Sequence, residues 1–160
     1  MNANRNQLAY QEAAVRNANA IELIVMLYDI LARDLHAAIE AMEAGDIELR
    51  SAKLKHGFLA LQQLEGTLNI EEGGELATNM SRFYSMLRDQ MMKAQVQQEP
   101  AVLRELVQLL FSVREAWMEL SSRLAGASQA PVPQIPLPTT KHSRDREHDP
   151  EQVKTASWKA

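Results

Sequence analysis

The sequence predicts an all-α protein: an antiparallel up-and-down four-helix bundle with an N-terminal arm and a disordered C-terminal tail. Three observations predict this fold. Proline occurs once and glycine is sparse before residue 125. Apolar residues recur there every three or four positions, as on amphipathic helices. Short breaks divide the same region into four segments of about 20–26 residues, and short links force neighbouring helices to lie side by side and antiparallel.

The first helix is predicted from about Asn19 to Ala44. Asn19 is a suitable N-cap, and Glu22 follows three residues later, as in a capping box. Gly45 can adopt the left-handed conformation that ends a helix, and Asp46 can cap the helix that follows. Gly45 and Asp46 are therefore predicted to form the first turn of the bundle.

Three further helices complete the predicted bundle. The second runs to about Leu68, and apolar residues at seven-residue spacing mark one of its faces. After a break, the third runs from about Gly74 to Gln98. Pro100 opens the fourth helix, because the N–H that proline lacks has no partner in a first turn. This last helix is expected to end at about Leu124.

Residues 126–160 are predicted to be a disordered tail. Five of the six prolines lie in this stretch. Each proline removes a backbone donor and biases the preceding residue toward extended conformations, which excludes a helix. The residues that follow are polar and mixed in charge. The chain is therefore expected to divide into a flexible arm at residues 1–18, the bundle at residues 19–125, and this tail.

Composition and charge exclude several classes of protein. The net charge is −4, and no basic stripe of the kind that binds nucleic acid is found. The chain has no cysteine, so it forms no disulfide and no thiolate metal site. No segment resembles a signal peptide, and no apolar run approaches the roughly 18 residues of a membrane span. A cytosolic protein without membrane insertion is expected.

The polar residues do not converge on a catalytic, cofactor or metal site. No Glu-x-x-His pair occurs in the bundle, so a di-iron carboxylate site is not expected. His36 and Glu40 lie one turn apart, which is a common surface pair, and a metal site needs further ligands. Gly73 and Gly74 are not followed by Lys-Ser/Thr, as a phosphate-binding loop would require. The sequence predicts a protein that is not an enzyme and has no cofactor.

The apolar arcs of the helices are wider than a bundle core requires. The consecutive residues 23–28 are all apolar or aromatic, and they cover every direction for more than a turn. The eight methionines include Met80, and methionine suits surfaces that repack around apolar partners. The surplus surface must meet the N-terminal segment, a second copy or a partner chain. The pattern alone leaves these possibilities open.

Several short motifs resemble the flagellar export chaperones of the FliS family. Residues 68–80, with Gly-Gly-Glu-Leu-Ala at their centre, resemble the most diagnostic stretch of that family. Residues 26–29 (Met-Leu-Tyr-Asp) resemble its first-helix motif, and residues 9–11 (Ala-Tyr-Gln) resemble its N-terminal segment. Residues 115–117 (Glu-Ala-Trp) resemble the end of its last helix, and residues 45–46 its first turn. The motifs occur in the family's order and spacing.

The resemblance covers roughly residues 8–120 and implies a function. A member of this family is expected to bind the disordered C-terminal region of flagellin, prevent its premature polymerisation in the cytosol and aid its delivery to the flagellar type III export apparatus. Components of that apparatus are further expected partners. In the family, the segment around Tyr10 can cover part of the hydrophobic surface and shift when the partner binds. Ile30 departs from the family pattern, which usually has glycine there.

The expected protein-binding residues are apolar. They comprise Leu8 and Tyr10 on the covering arm, and Ile47, Leu54, Phe58, Leu61, Ile70, Leu76, Ala77, Met80, Leu106 and Leu109 on the bundle. Two alternatives to a flagellin chaperone stay open. One is a structural bundle that buries its surplus apolar surface by self-association, as in a weak homodimer. The other is a general adaptor that serves several flagellar proteins.

Overall fold

A computed structural model describes residues 2–128 of the 160-residue chain. Within this range the protein consists of four α-helices and has no strand: α1 at Asn2–Ala44, α2 at Ile47–Gly66, α3 at Ile70–Gln97 and α4 at Pro100–Ser128. The links between them have two or three residues, so consecutive helices are antiparallel. The predicted all-α four-helix bundle is confirmed. Most of the predicted tail, from residue 129 onward, lies outside the described residues.

The helices pack in a ring, in which each one contacts its two neighbours in the chain and α4 returns to α1. α1 packs extensively against α2 and α4, whereas α3 packs less extensively against both of its neighbours. Large side chains fill the centre of the ring, and burial of each contributes about 1.5–3 kcal/mol. The fully buried ones are Tyr28, Leu31, Leu35, Leu54, Leu61, Leu64, Tyr84, Leu87, Met91, Leu103 and Leu110.

The first helix begins at Asn2, not at Asn19. The predicted capping box is not used, because no glycine or proline precedes Gly45 and alanine recurs throughout the segment. The result is a helix of 43 residues, about 64 Å long at roughly 1.5 Å per residue. The N-terminal segment is thus helical from Asn2 onward, and its movement as a separate arm stays a prediction.

The turns on either side of α2 show why this helix is short. Gly45 has a φ of 72°, and the Asp46 side chain accepts a hydrogen bond from the Leu49 N–H at 2.9 Å. This turn is as predicted. At the other end α2 stops at Gly66, where the hydroxyl of Thr67 donates to the Leu64 carbonyl at 2.7 Å. With 20 residues, α2 is about 30 Å long.

The third helix begins at Ile70, four residues before the predicted start. The Asn69 side chain accepts hydrogen bonds from the N–H groups of Glu71 and Glu72 at 3.1 and 3.2 Å. The break predicted at Gly74 is instead a kink inside α3, with φ 52° and ψ −128°. α4 begins at Pro100 as predicted and continues beyond Leu124 to Ser128.

These lengths leave one end of the bundle open. α2 runs antiparallel to α1 and is less than half as long, so it accompanies only the C-terminal half of α1. Beyond Gly66, α1 continues beside α4: Tyr10, Ala13 and Asn17 border a small cavity together with Leu124 of α4. The core is therefore enclosed at the end of the Gly45 turn and uncovered at the opposite end.

Candidate protein-binding groove

A groove of about 380 Å³ lies where α2 is absent. Three helices and the link between α2 and α3 form it. Its lining residues are Asn17, Ala20 and Ile24 of α1, Thr67, Leu68 and Asn69 of the link, Glu72, Gly73, Leu76, Ala77, Met80 and Tyr84 of α3, and Trp117 of α4. We call this the open-end groove. It is mostly apolar, and Glu72 is the charged side chain in its lining.

The apolar residues of the groove occupy core positions that lack a partner helix. Leu76 and Leu87 are eleven residues apart, which places them on the same face of α3. Leu87 is completely buried, whereas Leu76 is 58% exposed. The same holds on α4, where Leu110 is 1% exposed and Trp117, two turns later in the groove, is only partly buried. The exposed surface is thus the continuation of the bundle core past the end of α2.

A pair of tyrosines lies at the base of the groove. The Tyr28 hydroxyl donates to the Tyr84 hydroxyl at 3.2 Å, and the ring centroids are 6.4 Å apart. Burial raises the pKa of both hydroxyls above the ordinary tyrosine range, and for Tyr28 the neighbouring Tyr84 adds to this effect. Both side chains therefore stay neutral across the physiological pH range and join α1 to α3.

Three of the predicted binding residues meet in this groove. Leu76 is exposed, Met80 is half-buried, and Ala77 is buried in the groove wall. Ile70 is 50% exposed at the start of α3 but does not line the groove. Leu109 is exposed on α4, away from the groove. The structure thus brings Leu76, Ala77 and Met80 together, whereas Ile70 and Leu109 lie elsewhere on the surface.

Three predicted binding residues are core residues, which corrects the sequence-based assignment. Leu54 and Leu61 are completely buried, and Leu106 is 4% exposed. The seven-residue spacing of Leu54 and Leu61 thus marks the core face of α2. Because all three side chains are buried, they cannot contact a partner in this conformation. Phe58 is half-buried against the same core. Ile47 is 63% exposed, since it opens α2 at the closed end of the bundle.

Tyr10 of the predicted covering arm does not line the groove. Tyr10 is 61% exposed and borders the neighbouring cavity of about 120 Å³. Asn17 lines both that cavity and the open-end groove, so the two are adjacent. The side chain of Leu8 lies outside the described part of the chain. Covering of the groove by this segment stays a prediction.

A second groove, of about 370 Å³, runs along the seam of α1 and α4. Met26 and Met118, both about half exposed, contribute to its walls. Below them, Arg114 donates two hydrogen bonds to the Asp29 carboxylate, at 2.5 and 3.1 Å. Sequence reasoning did not identify this groove, although the apolar run at residues 23–28 indicated surplus surface on this part of α1.

A buried carboxylate joins α1 to α2. Asp34 is 4% exposed, and its Oδ2 lies 2.5 Å from Nδ1 of His56, with the Lys53 ammonium at 4.0 Å. The predicted surface pair of His36 and Glu40 did not anticipate this contact. Within residues 2–128, no three His, Asp or Glu side chains are placed to hold a metal ion. None of the described helices is both long and apolar enough to cross a membrane.

Comparison with known proteins identifies relatives of this chain. The family model for flagellar protein FliS matches residues 1–124. The flagellar secretion chaperone FliS of Salmonella typhimurium is 30% identical over 113 residues, which cover 70% of this chain and 84% of the relative. The FliS chaperone of Bacillus subtilis is 28% identical over 111 residues, 69% of this chain and 82% of the relative. The FliSB chaperone of Pseudomonas aeruginosa is 30% identical over 110 residues, 69% and 87% of the two chains.

Proposed function

The chain belongs to the FliS family of flagellar secretion chaperones, and from this premise we propose that it binds the disordered C-terminal region of flagellin in the cytosol. Binding would prevent premature polymerisation and aid delivery of flagellin to the flagellar type III export apparatus, whose components are further partners. The observation that carries the proposal is the open-end groove, an uncovered continuation of the core.

The shape of the groove supports a helical ligand. The groove extends along α1 from Asn17 to Ile24, which is about 10 Å at roughly 1.5 Å per residue. About two turns of an amphipathic helix therefore fit the position that α2 leaves vacant. Such a helix would bury its apolar face on Leu76, Met80 and Trp117. A segment that is disordered before binding pays an ordering cost of several kcal/mol, which keeps the affinity moderate and release at the export apparatus feasible.

Two other functions would use the same surface. A self-associating bundle would cover the groove with a second copy of the chain. A general adaptor would accept helices from several flagellar proteins, and Met80 in the groove wall favours such repacking because methionine is flexible. These alternatives differ from the main proposal in the identity of the ligand, not in the place where it binds.

The test is a calorimetric titration of the full chain with a peptide covering the C-terminal region of flagellin from the same organism. One-to-one binding, a negative heat-capacity change and a gain in helicity are expected. The variant Leu76→Asp should weaken binding at least about tenfold, because a charge in the groove must be desolvated. Leu59→Asp, at an exposed position of α2 outside the groove, is the matched control and should bind normally.

Failure of the folded wild-type protein to bind would remove the proposal. Concentration-dependent dimerisation that Leu76→Asp abolishes would then support the self-associating bundle. Equal affinity for helical segments of other flagellar proteins would favour the general adaptor.

A further inference from the structure

The kink in α3 depends on a backbone conformation that only glycine adopts readily. Gly74 has φ 52° and ψ −128°, a combination in which the Cβ of an L-residue would clash with its own backbone. Apart from the adjoining residues and the backbone of the same helix, no atom lies within 4 Å of where that Cβ would be. The requirement for glycine at this position therefore comes from backbone conformation and not from lack of space.

A glycine is also needed at position 73, for a separate, steric reason. A Cβ at this residue would lie 2.7 Å from the Cβ of Ala77, so the kink brings the backbone of Gly73 directly onto the Ala77 side chain. Two hydrogen bonds hold the chain on either side: the Gly73 N–H donates to the Asn69 carbonyl at 2.8 Å, and the Thr78 hydroxyl donates to the Gly74 carbonyl at 3.0 Å. The kink is a defined structure and not a frayed helix end.

The kink lies within the wall of the open-end groove. Asn69, Glu72 and Gly73 line the groove before the kink, and Leu76 and Ala77 line it directly afterwards. If α3 were straight at Gly74, the residues before the kink would point in a different direction. The groove wall that they form would then have a different shape. Gly74 does not line the groove itself, so any effect on a ligand passes through the position of its neighbours.

We propose that Gly74 is a positioning residue for the ligand: its kinked backbone sets the first turn of α3 as one wall of the groove, and the kinked form is the one that binds. This inference rests on the proposed binding of a helical flagellin segment. It assigns to Gly73 and Gly74 a role in shaping the binding surface. An L-residue at position 74 favours the straight helix, so the apparent affinity falls with the population of the kinked form.

The experiment compares the flagellin peptide affinity and the urea unfolding of the full-length wild type, Gly74→Ala and Gly126→Ala. Gly126 lies in the last turns of α4 with open space around it, which makes it the matched glycine control. Gly74→Ala should weaken binding about tenfold or more, given the usual cost of a conformation that glycine alone tolerates. Gly126→Ala should bind as the wild type does.

A chain with D-alanine at position 74, assembled by peptide ligation, separates backbone shape from side-chain bulk. D-Alanine accepts positive φ and disfavours the right-handed helix, so this chain should bind like the wild type even if Gly74→Ala is too unstable to measure. Equal binding by wild type and a folded Gly74→Ala, or weak binding by the D-alanine chain, would overturn the inference. Absence of wild-type binding would instead contradict the proposed function.

Discussion

Tyr28 and Tyr84 link protonation to the stability of the bundle. Both side chains are fully buried and hydrogen-bonded to each other, and burial raises the pKa of each hydroxyl. In the unfolded chain, tyrosine titrates at about pH 10. Because the folded state holds these protons more tightly, their contribution to stability is complete below about pH 10 and is lost as the pH rises further.

The first prediction concerns alkaline unfolding. The free energy of unfolding should fall above about pH 10, by at most about 1.4 kcal/mol per pH unit for each buried hydroxyl. The double variant Tyr28→Phe/Tyr84→Phe removes both hydroxyls together, so neither is left unpaired. Its free energy of unfolding should fall less steeply with rising pH than that of the wild type. Urea unfolding between pH 8 and about pH 11 measures this, with exposed Tyr10→Phe as control. An unchanged slope in the double variant would contradict the assignment.

A second prediction at this scale separates core leucines from groove leucines. Leu61→Ala should lower the free energy of unfolding by about 2–5 kcal/mol, because it leaves a cavity among fully buried side chains. Leu76→Ala, at a position that is 58% exposed, should cost less than about 1 kcal/mol. Chemical denaturation of both variants gives the comparison. Equal losses would show that Leu76 also belongs to the folded core.

Gly57 lies on the face of α2 that packs against α1 and α3. A Cβ at Gly57 would lie 3.3 Å from Cδ1 of Leu31 and 3.3 Å from Cε of Met91. The glycine therefore admits side chains from both α1 and α3 into the space beside α2. Asp34, with its contacts to His56 and Lys53, fixes the register of α1 and α2.

The prediction for this element is that Gly57→Leu destabilises the protein by about 1–3 kcal/mol, because a large side chain overpacks the junction of three helices. Gly66→Ala, where nothing lies within 4 Å of the added Cβ, should instead be neutral or stabilise by up to about 1 kcal/mol. Thermal unfolding followed by circular dichroism distinguishes them. A stable Gly57→Leu variant would show that the junction has spare volume.

Local sequence signals predicted the helix ends that depend on one or two residues. Gly45, Asp46 and Pro100 lie where their conformational preferences place them. The predicted start of α1 was wrong. A good capping sequence at Asn19 does not begin a new helix when the residues before it also favour a helical conformation. The kink at Gly74 was predicted as a helix start, since sequence shows that glycine permits a break but not the direction the chain takes.

At the scale of the whole molecule, the groove results from unequal helix lengths. α2 has 20 residues and α1 has 43, so the core continues past the end of α2 with one side uncovered. Periodicity shows which face of a helix points to the core, but not where along the helix the neighbour stops. This is why Leu54, Leu61 and Leu106 were assigned to the binding surface, while the α1 and α4 residues of the groove were missed.

The most direct test of the central claim is hydrogen–deuterium exchange of the full chain with and without the flagellin C-terminal peptide. We expect slower exchange upon binding in the helices that form the open-end groove, at residues 17–24, 69–84 and 114–120. Amides in the middle of α2 should be unaffected and serve as the internal control. Protection confined to the closed end, or to the outer face of α2, would contradict the assignment of the groove as the binding site.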